Sequence, residues 1–405
     1  MVTQSGSTIR NPLPTDGSAI GRPVLDAGGT PQVARGYFAA DSFDRGGFDS
    51  LALNGNVEFV GRVDVNARGW LRVADGGVIR ADSTVNLTAP YVGLGRPFVP
   101  PVLPENLQNQ IPFTSVAPTH GPGRLIVTAD HIDIGTLTMQ NIGRAVLNAR
   151  GGDIRGNGFV SIAGDLTLRA GQIYPTTLTE FGVFAYDYSA NSSTQPGTIR
   201  IEASGSRRLP LTAGGTLSLY ASNIEHYGTL RAPFGVINLG WDGTGTPPVD
   251  RVTGNALPAP ITTQLTLGGG SVTSVSGVDP RTGKGILVPY GTSDGVTWTD
   301  PRGLDITGGG LPEKSVNLSA RNLAMQAGAT VDLRGGGNLF AQQWLIGNGG
   351  QVDILGSNAA DWLANSEYRT GDLVTYQGET FSSRLNSQGI TPAVGFFWTK
   401  VPQTY

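Results

Sequence analysis

Apolar and polar residues alternate in one short phrase that the chain repeats five times. The phrase reads apolar-x-apolar-x-Ala-x-x-apolar, and its copies are Val85–Val92, Leu125–Ile132, Leu166–Ile173, Leu217–Ile224 and Val316–Leu323. Its first, third and fifth positions lie two residues apart, so they share one face of a β-strand. One such strand cannot bury its apolar face alone, but strands stacked from successive repeats form a continuous apolar column. The pattern therefore predicts a β-solenoid.

The fold class that we predict is all-β: a right-handed parallel β-helix, or β-solenoid, with long loop excursions, followed by a small β-rich carbohydrate-binding-like module. The copies begin at positions 85, 125, 166, 217 and 316. We interpret each step of about 40 residues as two coils of about 20, which lies within the range of known solenoid repeats. The third phrase position is expected to face the interior in equivalent strands; it holds Val127, Leu168, Leu219 and Leu318.

Three segments interrupt the repeat and are predicted to leave the solenoid. Residues 95–123 hold seven prolines, which a buried parallel strand does not accept. Residues 174–197 carry tyrosines and a polar stretch, and residues 242–312 are rich in Gly, Pro, Thr and Asp. The phrase stops and aromatic residues become frequent near Gly356-Ser357-Asn358, so we place the solenoid at 1–357 and a separate module at 358–405.

Composition agrees with a turn-rich β protein and argues against several kinds of partner and site. The 405 residues include 60 Gly and 26 Pro, and only 15% of them are charged. A net charge of −3 gives no argument for nucleic acid as a partner. No run of 18 apolar residues indicates a membrane span. Cys is absent and the three His are scattered, so neither a metal site nor a cofactor is expected.

The opening residues do not resemble a secretion signal. Met1-Val-Thr-Gln-Ser-Gly6 is polar and lacks a charged start followed by an apolar core. A cytoplasmic location would be the simplest interpretation. We instead expect a fragment or mature portion of a longer protein, since solenoids of this type seldom stand alone.

The repeat phrases, with Leu-x-Leu-x-Ala-x-x-Ile and Gly-x-Leu-x-Ala-Pro, resemble filamentous haemagglutinin-like exoproteins of Gram-negative bacteria. The stretches Val331–Ala341 and Gly347–Ile354 are similar to recurring segments of that family, and the resemblance covers roughly residues 50–355. The family's amino-terminal secretion motif, of Asn-Pro-Asn-Gly-Ile type, is not matched by Asn11-Pro12-Leu13. The resemblance implies a secreted or cell-surface adhesin or fibre segment.

The C-terminal segment resembles the small chitin- and cellulose-binding modules found on chitinases and on phage and surface proteins. The residues that carry the resemblance are Trp362, Tyr368, Gly371-Asp372, Val374, Tyr376, Gly378, Phe381, Pro392 and Trp398. Residues 382–387 contain no aromatic residue, whereas chitin-binding members often carry exposed Trp there. This difference argues against crystalline chitin and leaves another sugar or a partner protein as the ligand.

Four aromatic residues of this module are candidate carbohydrate-binding residues: Tyr368, Tyr376, Trp398 and Trp362. A sugar ring packs its C–H face on an aromatic face, and tyrosine combines an apolar face with a polar tip. Trp362 and Trp398 also suit the core of so small a module. At least one of Tyr368, Tyr376 and Trp398 is expected to remain exposed.

Catalytic chemistry has weaker candidates. Polysaccharide-cleaving β-helices need clustered carboxylates, either as an acid/base pair or as calcium ligands. Asp130, Asp133 and Asp153, with His131 nearby, are the only group that fits, and the position of Asp130 varies among the phrase copies. We therefore predict no catalytic residues.

The sequence favours a non-enzymatic extracellular adhesin, surface-fibre or matrix segment that binds a glycan or cell surface. Two alternatives stay open. One is a polysaccharide-degrading or phage tailspike-type β-helix enzyme. The other is a filament subunit whose partners are further copies of itself, because uncapped solenoid ends expose strand edges that favour association.

Overall fold

The computed structural model describes residues 1–5, 36, 38–103, 105–106, 116–205, 208–250, 253–309, 312–343 and 360–401. Apart from the helix α1 (Ala40–Gly46), the regular elements of these ranges are β-strands. The chain divides into two compact units: residues 1–292 with 296–342, and residues 293–295 with 343–405. The predicted boundary near Gly356-Ser357-Asn358 lies outside the described residues.

Two parallel sheets, of 18 and 9 strands, carry the larger unit, and their pairings form three ladders. Ladder A consists of β2 (Phe38–Ala39), β1 (Val2–Thr3), β4 (Val57–Phe59), β7 (Val78–Ala81), the first part of β12 (Leu137–Ala149), β14 (Gly158–Ala163), β17 (Glu180–Tyr186), β21 (Thr216–Ala221), β24 (Val236–Leu239) and β29 (Ser315–Leu318).

Ladder B belongs to the same 18-stranded sheet. It consists of β5 (Val63–Asn66), β8 (Thr84–Thr88), β10 (Thr119–Ala129), the second part of β12, β15 (Asp165–Ala170), β20 (Thr198–Ala203), β22 (Asn223–Tyr227), β25 (Gln264–Leu267) and β30 (Asn322–Met325).

Ladder C is the 9-stranded sheet. It consists of β3 (Leu51–Leu53), β6 (Trp70–Val73), β9 (Tyr91–Leu94), β11 (His131–Ile134), β13 (Asp153–Gly156), β16 (Gln172–Pro175), β23 (Thr229–Arg231), β26 (Val272–Ser274) and β31 (Thr330–Asp332).

Over most of its length the chain visits the ladders in rotation, since β4, β5 and β6 lie in ladders A, B and C and β7, β8 and β9 repeat the order. We call one such pass a turn. After β4, two passes skip a ladder: β10 of ladder B follows β9, and β21 of ladder A follows β20. Strand residues pair with partners one turn away, as Val63 does with Val85 and Leu217 with Ile237. Inward side chains of all three ladders join one apolar core. The prediction of an all-β chain built on large parallel sheets is confirmed.

The short helix α1 lies at the first turns. Its Ala40 and Phe43 are buried and belong to the main core. The helix ends at Gly47, whose φ of 67° is the left-handed conformation that glycine adopts without strain. Helix α1 thus covers apolar side chains at one end of the ladders.

The spacing of the repeat phrase was misinterpreted in part. Strand β10 pairs directly with β8, with Leu125 opposite Val85, so the first step of 40 residues is one turn with an inserted loop. The third position lies on ladder B in Val127 and Leu168 but on ladder A in Leu219 and Leu318. The strands are therefore not equivalent. Every ladder needs inward apolar residues, so the same phrase suits each of them.

The interior prediction for these positions holds for three of the four. Val127, Leu168 and Leu219 are buried. Leu318 packs against the core but is only half-buried, because β29 is the last strand of ladder A in the described part of the chain.

The predicted excursions are too long. The first, 95–123, includes the start of β10, where Pro122 is accepted at an irregular register opposite Ile142. The second, 174–197, contains the buried strand β17; only the hairpin of β18 (Tyr188–Ala190) and β19 (Ser193–Gln195) departs from the ladders. The third, 242–312, contains β25 and β26. Strand β17 is buried on both faces, so its sequence lacks the period-two alternation of apolar and polar residues by which the other strands are recognised.

Three smaller sheets complete the described elements. One is formed by β27 (Leu287–Ser293), β28 (Trp298–Thr299) and β32 (Asn338–Gln343). In the second unit, β33 (Ala360–Asp361), β35 (Leu373–Tyr376), β36 (Glu379–Ser383) and β38 (Trp398–Lys400) form a four-stranded sheet, while β34 (Glu367–Tyr368) pairs with β37 (Ser387–Gln388). The hairpin of β35 and β36 turns at Gln377-Gly378.

Truncation of an inward residue tests the shared core. Leu219 is buried between Val183 and Leu239, its partners on the neighbouring turns. Leu219→Ala should lower the free energy of unfolding by roughly 2–5 kcal/mol, as for other buried leucines. Leu211→Ala, at an exposed leucine, should leave it nearly unchanged. Urea denaturation followed by circular dichroism measures both, and equal effects would contradict the core assignment.

Candidate functional site

The outer face of ladder C carries aromatic and charged side chains in register. In β6 and β9, Leu71 and Val92 point into the core, so the residues on either side of them point outward. Trp70, Tyr91 and His131 are paired neighbours and form an aromatic column. The parallel column holds Arg72, Gly93, Asp133 and Arg155.

Trp70 is the exposed ring of the aromatic column, whereas Tyr91 and His131 are half-buried. Trp70 is 40% exposed, and the Arg72 guanidinium lies 5.3 Å from the centre of its ring. The rings of Tyr91 and His131 stack with centres 6.1 Å apart and an angle of 13° between their planes. Strands one turn apart lie about 4.8 Å from each other, which sets the spacing of such a column.

Asp133 is the centre of a hydrogen-bonded group that we call the Asp133 cluster: Asp133, Arg155, His131 and Tyr91. Arg155 donates from Nε to Oδ1 at 3.0 Å and from Nη2 to Oδ2 at 2.7 Å. His131 Nε2 lies 3.0 Å from Oδ1, and the Tyr91 hydroxyl donates to Oδ2 at 2.9 Å. A carboxylate offers about four lone-pair sites. The four contacts therefore occupy the acceptor capacity of Asp133.

The cluster shifts the pKa values of its members. Burial alone would raise the pKa of Asp133, but the hydrogen bonds from His131 and Arg155 outweigh it and lower the pKa to about 2. Burial, together with the negative charge of Asp133, raises the pKa of Tyr91 to about 12. Asp133 is therefore ionised and Tyr91 protonated at neutral pH.

A cavity of about 460 Å³ opens beside these columns; we call it the ladder C groove. Its lining includes Trp70, Arg72, Tyr91, Gly93, Phe98 and Asp133. Phe98 comes from the loop that follows β9, and its ring centre lies 5.4 Å from the Arg155 guanidinium. The groove thus combines aromatic faces with fixed charges, which is the usual composition of a small-molecule site.

The aromatic candidates of the C-terminal module form its core. Trp398 is 1% exposed and donates from Nε1 to the Ile390 carbonyl at 3.0 Å. The Tyr368 ring packs edge-on against it at 5.4 Å, and Trp362 meets Tyr376 in the same manner at 5.5 Å. Trp362, Tyr368 and Tyr376 are half-buried.

Two expectations for the module need correction. None of Tyr368, Tyr376 and Trp398 is exposed; Phe396, at 75%, is the exposed ring instead. Trp398 has no free face for a sugar, because it is buried in the module core with Val374 and Phe381. A glycan contact through Trp362, Tyr368 or Tyr376 stays a prediction.

The carboxylates singled out in the sequence are not gathered into one site. Asp130 is exposed and pairs with Arg150 at 3.3 Å. Asp153 accepts a hydrogen bond from the Tyr174 hydroxyl at 3.3 Å, and Asp133 is held in its cluster. In the described ranges, no three His, Asp or Glu side chains are grouped as ligands for a metal ion.

Sequence reasoning missed Trp70, Arg72, Tyr91 and Phe98. The available signal was the outward position in successive ladder C strands, as in Trp70-x-Arg72 and His131-x-Asp133. The inserted loop and β10 separate β9 from β11 in the sequence, although the two strands pair directly. The sequence alone therefore did not indicate that their outward residues are neighbours.

No protein-family model, no curated protein and no solved structure matches this chain. The described part of the chain has no helix with the length and apolar character needed to cross a bilayer.

Trp398 and Phe396 make a matched test of the module core. Trp398→Ala should cost about 3–5 kcal/mol and unfold the module, because a buried aromatic leaves a large cavity. Phe396→Ala removes a nearby exposed ring and should change stability little. Near-ultraviolet circular dichroism and hydrogen exchange over residues 360–401 report the result. A protected module in Trp398→Ala would contradict the core assignment.

The Asp133 cluster predicts a dependence of stability on pH. The folded-state pKa of Asp133, about 2, lies below the ordinary 3.8. Its contribution, roughly 2 kcal/mol, is therefore present above about pH 5 and is lost as the pH falls towards 2. The stability difference between the native chain and Asp133→Asn should shrink over that range.

Asp130→Asn is the control for this comparison. It removes an exposed ion pair, so its effect on the free energy of unfolding should be small at every pH. If the Asp133→Asn difference did not change between pH 5 and 2, the cluster would not hold the carboxylate as described.

Proposed function

We propose that this chain is a non-enzymatic extracellular β-helix protein, of the filamentous haemagglutinin-like kind, that binds glycans through the ladder C groove. Three parallel ladders visited in rotation around one core support the β-helix. Its right-handed sense follows from the strong preference for right-handed parallel crossovers. The location, secreted or on the surface of a Gram-negative bacterium, and the role as adhesin or surface fibre rest on the sequence resemblance.

The observation that carries glycan binding is the aromatic column of Trp70, Tyr91 and His131 beside the groove. Sugar hydroxyls exchange water for protein hydrogen bonds with modest net gain. Contact between a sugar's C–H face and an aromatic ring adds burial of apolar surface. Trp70 supplies such a ring, and Tyr91 and His131 extend the column along the neighbouring turns.

The chemistry of the groove favours binding over cleavage. Glycoside hydrolysis needs a carboxylic acid that donates a proton to the leaving group and a second carboxylate across the bond. Asp133 carries no proton at neutral pH, and its oxygens are occupied by Arg155, His131 and Tyr91. Asp133 is therefore unsuited to donate the proton that cleavage needs, which argues against the polysaccharide-cleaving alternative.

The C-terminal module is a proposed second contact. Its rings Trp362, Tyr368 and Tyr376 are half-buried and so keep part of their surface accessible, and the sequence resemblance to carbohydrate-binding modules supports the assignment. The groove is the stronger candidate, because its Trp70 has a larger free surface.

Replacement of Trp70 tests the proposed site in the full chain. Trp70→Ala should weaken glycan binding several-fold to about tenfold, the loss expected for one stacking ring. Phe340→Ala is the matched control, since Phe340 is also 40% exposed but lies on β32, away from the residues that line the groove. A glycan array identifies ligands, and isothermal titration measures the affinities.

Two results would contradict the proposal. Unchanged affinity in Trp70→Ala for every glycan that the chain binds would remove the groove as the site. Release of reducing ends or unsaturated products from a bound glycan, abolished by Asp133→Asn, would establish the enzymatic alternative.

A further inference from the structure

The geometry points to an acidic glycan as the ligand of the ladder C groove, with a sugar carboxylate bound by Arg72 above Gly93 while the sugar ring lies on Trp70. This inference rests on the proposed function and specifies its ligand. Three observations carry it: the uncompensated charge of Arg72, the notch at Gly93, and the placement of Arg72 beside the Trp70 ring.

Charges around the groove leave an excess of positive charge. Asp133 is neutralised by Arg155, which holds it with two hydrogen bonds. Three further charged residues line the cavity: Arg72, Arg96 and Asp75. Two cations therefore face one carboxylate. Arg72 has no ion-pair partner within the described ranges, although it lies on the same face as the Asp133 cluster.

Gly93 creates a notch in the charged column. It pairs with Arg72 on one side and with Asp133 on the other, and it has no side chain. A Cβ at Gly93 would lie 3.5 Å from the Tyr91 hydroxyl oxygen and 3.6 Å from the Arg72 Cγ. The Tyr91 Cε1 would lie 3.7 Å from the same position, so the notch is a shallow gap between the Tyr91 ring and the Arg72 side chain. A ligand group that contacts Gly93 would lie beside Arg72.

The placement of Arg72 suits a carboxylate attached to a stacked sugar. Trp70 and Arg72 are two residues apart on β6 and point to the same face. A guanidinium recognises a planar carboxylate through two parallel N–H donors and can rest on an aromatic ring at the same time. A uronic acid presents this combination, since its carboxylate projects from the ring that would cover Trp70.

The saturated Asp133 strengthens this selectivity. Its four hydrogen bonds leave no acceptor for the hydroxyls of a neutral sugar, so it offers little binding energy to one. Its charge would repel a carboxylate if it were unpaired, but Arg155 compensates it at 2.7 Å. The acidic group is therefore directed to the Arg72 side of the notch.

The test compares two probes with the same sugar backbone: polygalacturonate, which is charged, and its fully methyl-esterified form, in which a methyl ester replaces each carboxylate. With the full chain, Arg72→Gln should weaken polygalacturonate binding about tenfold, the value of one charge-assisted contact near the surface, and should change binding of the ester less than twofold. Raising the salt concentration should weaken only polygalacturonate binding. Arg124→Gln, at an exposed arginine on ladder B, is the control and should affect neither.

Gly93→Ala tests the notch without changing charge. An alanine Cβ would lie at ordinary contact distances from Tyr91 and Arg72, so the fold should be retained. Filling the notch should reduce polygalacturonate affinity about as much as Arg72→Gln does. Thermal unfolding midpoints equal to that of the native chain confirm that both variants are folded.

The outcomes separate this inference from the proposed function. If Trp70→Ala loses binding while Arg72→Gln and Gly93→Ala keep full affinity for polygalacturonate, the acidic ligand is wrong and the groove remains the glycan site. If the native chain binds the ester as well as polygalacturonate, the inference also fails. If Trp70→Ala retains all binding, both proposals fail.

Discussion

The structure depends on one constraint: each inward side chain must stack on the residue one turn away. Parallel pairing enforces this register, because Val85, Leu125, Ala145 and Leu166 follow one another in ladder B as strand partners. A slip of one residue would send a whole apolar row to the outer face. The same register aligns Trp70, Tyr91 and His131 outside, so core and surface columns share one origin.

The sequence predicts which residues of a strand face the core. It does not predict how many turns lie between two copies of the repeat phrase. Period-two alternation identifies inward residues such as Val127 and Leu168, since burial requires them to be apolar. It does not tell one ladder from another, because each ladder imposes the same requirement. Nor does spacing count turns: 40 residues separate Val85 from Leu125 over one turn, whereas 20 separate Leu217 from Ile237. Loops change chain length without changing register.

The candidate site was harder to predict because its members are distant in sequence. Tyr91 and Asp133 form a hydrogen bond across 42 residues, which only the strand register brings together. In the module, Trp398 was a candidate sugar platform but is buried in the core. A chain segment with few aliphatic residues uses its rings as core, so aromatic content alone does not distinguish a binding surface from an interior.

The Asp133 cluster has a mechanical consequence. Backbone hydrogen bonds of a ladder run from each turn to the next, so a force that separates the turns strains them one turn after another. The side-chain bonds from Asp133 to Tyr91 and to Arg155 span β9, β11 and β13 in the same direction and share that strain. A ligand bound in the groove would therefore apply tension to three turns that side-chain hydrogen bonds connect, and not to a single strand.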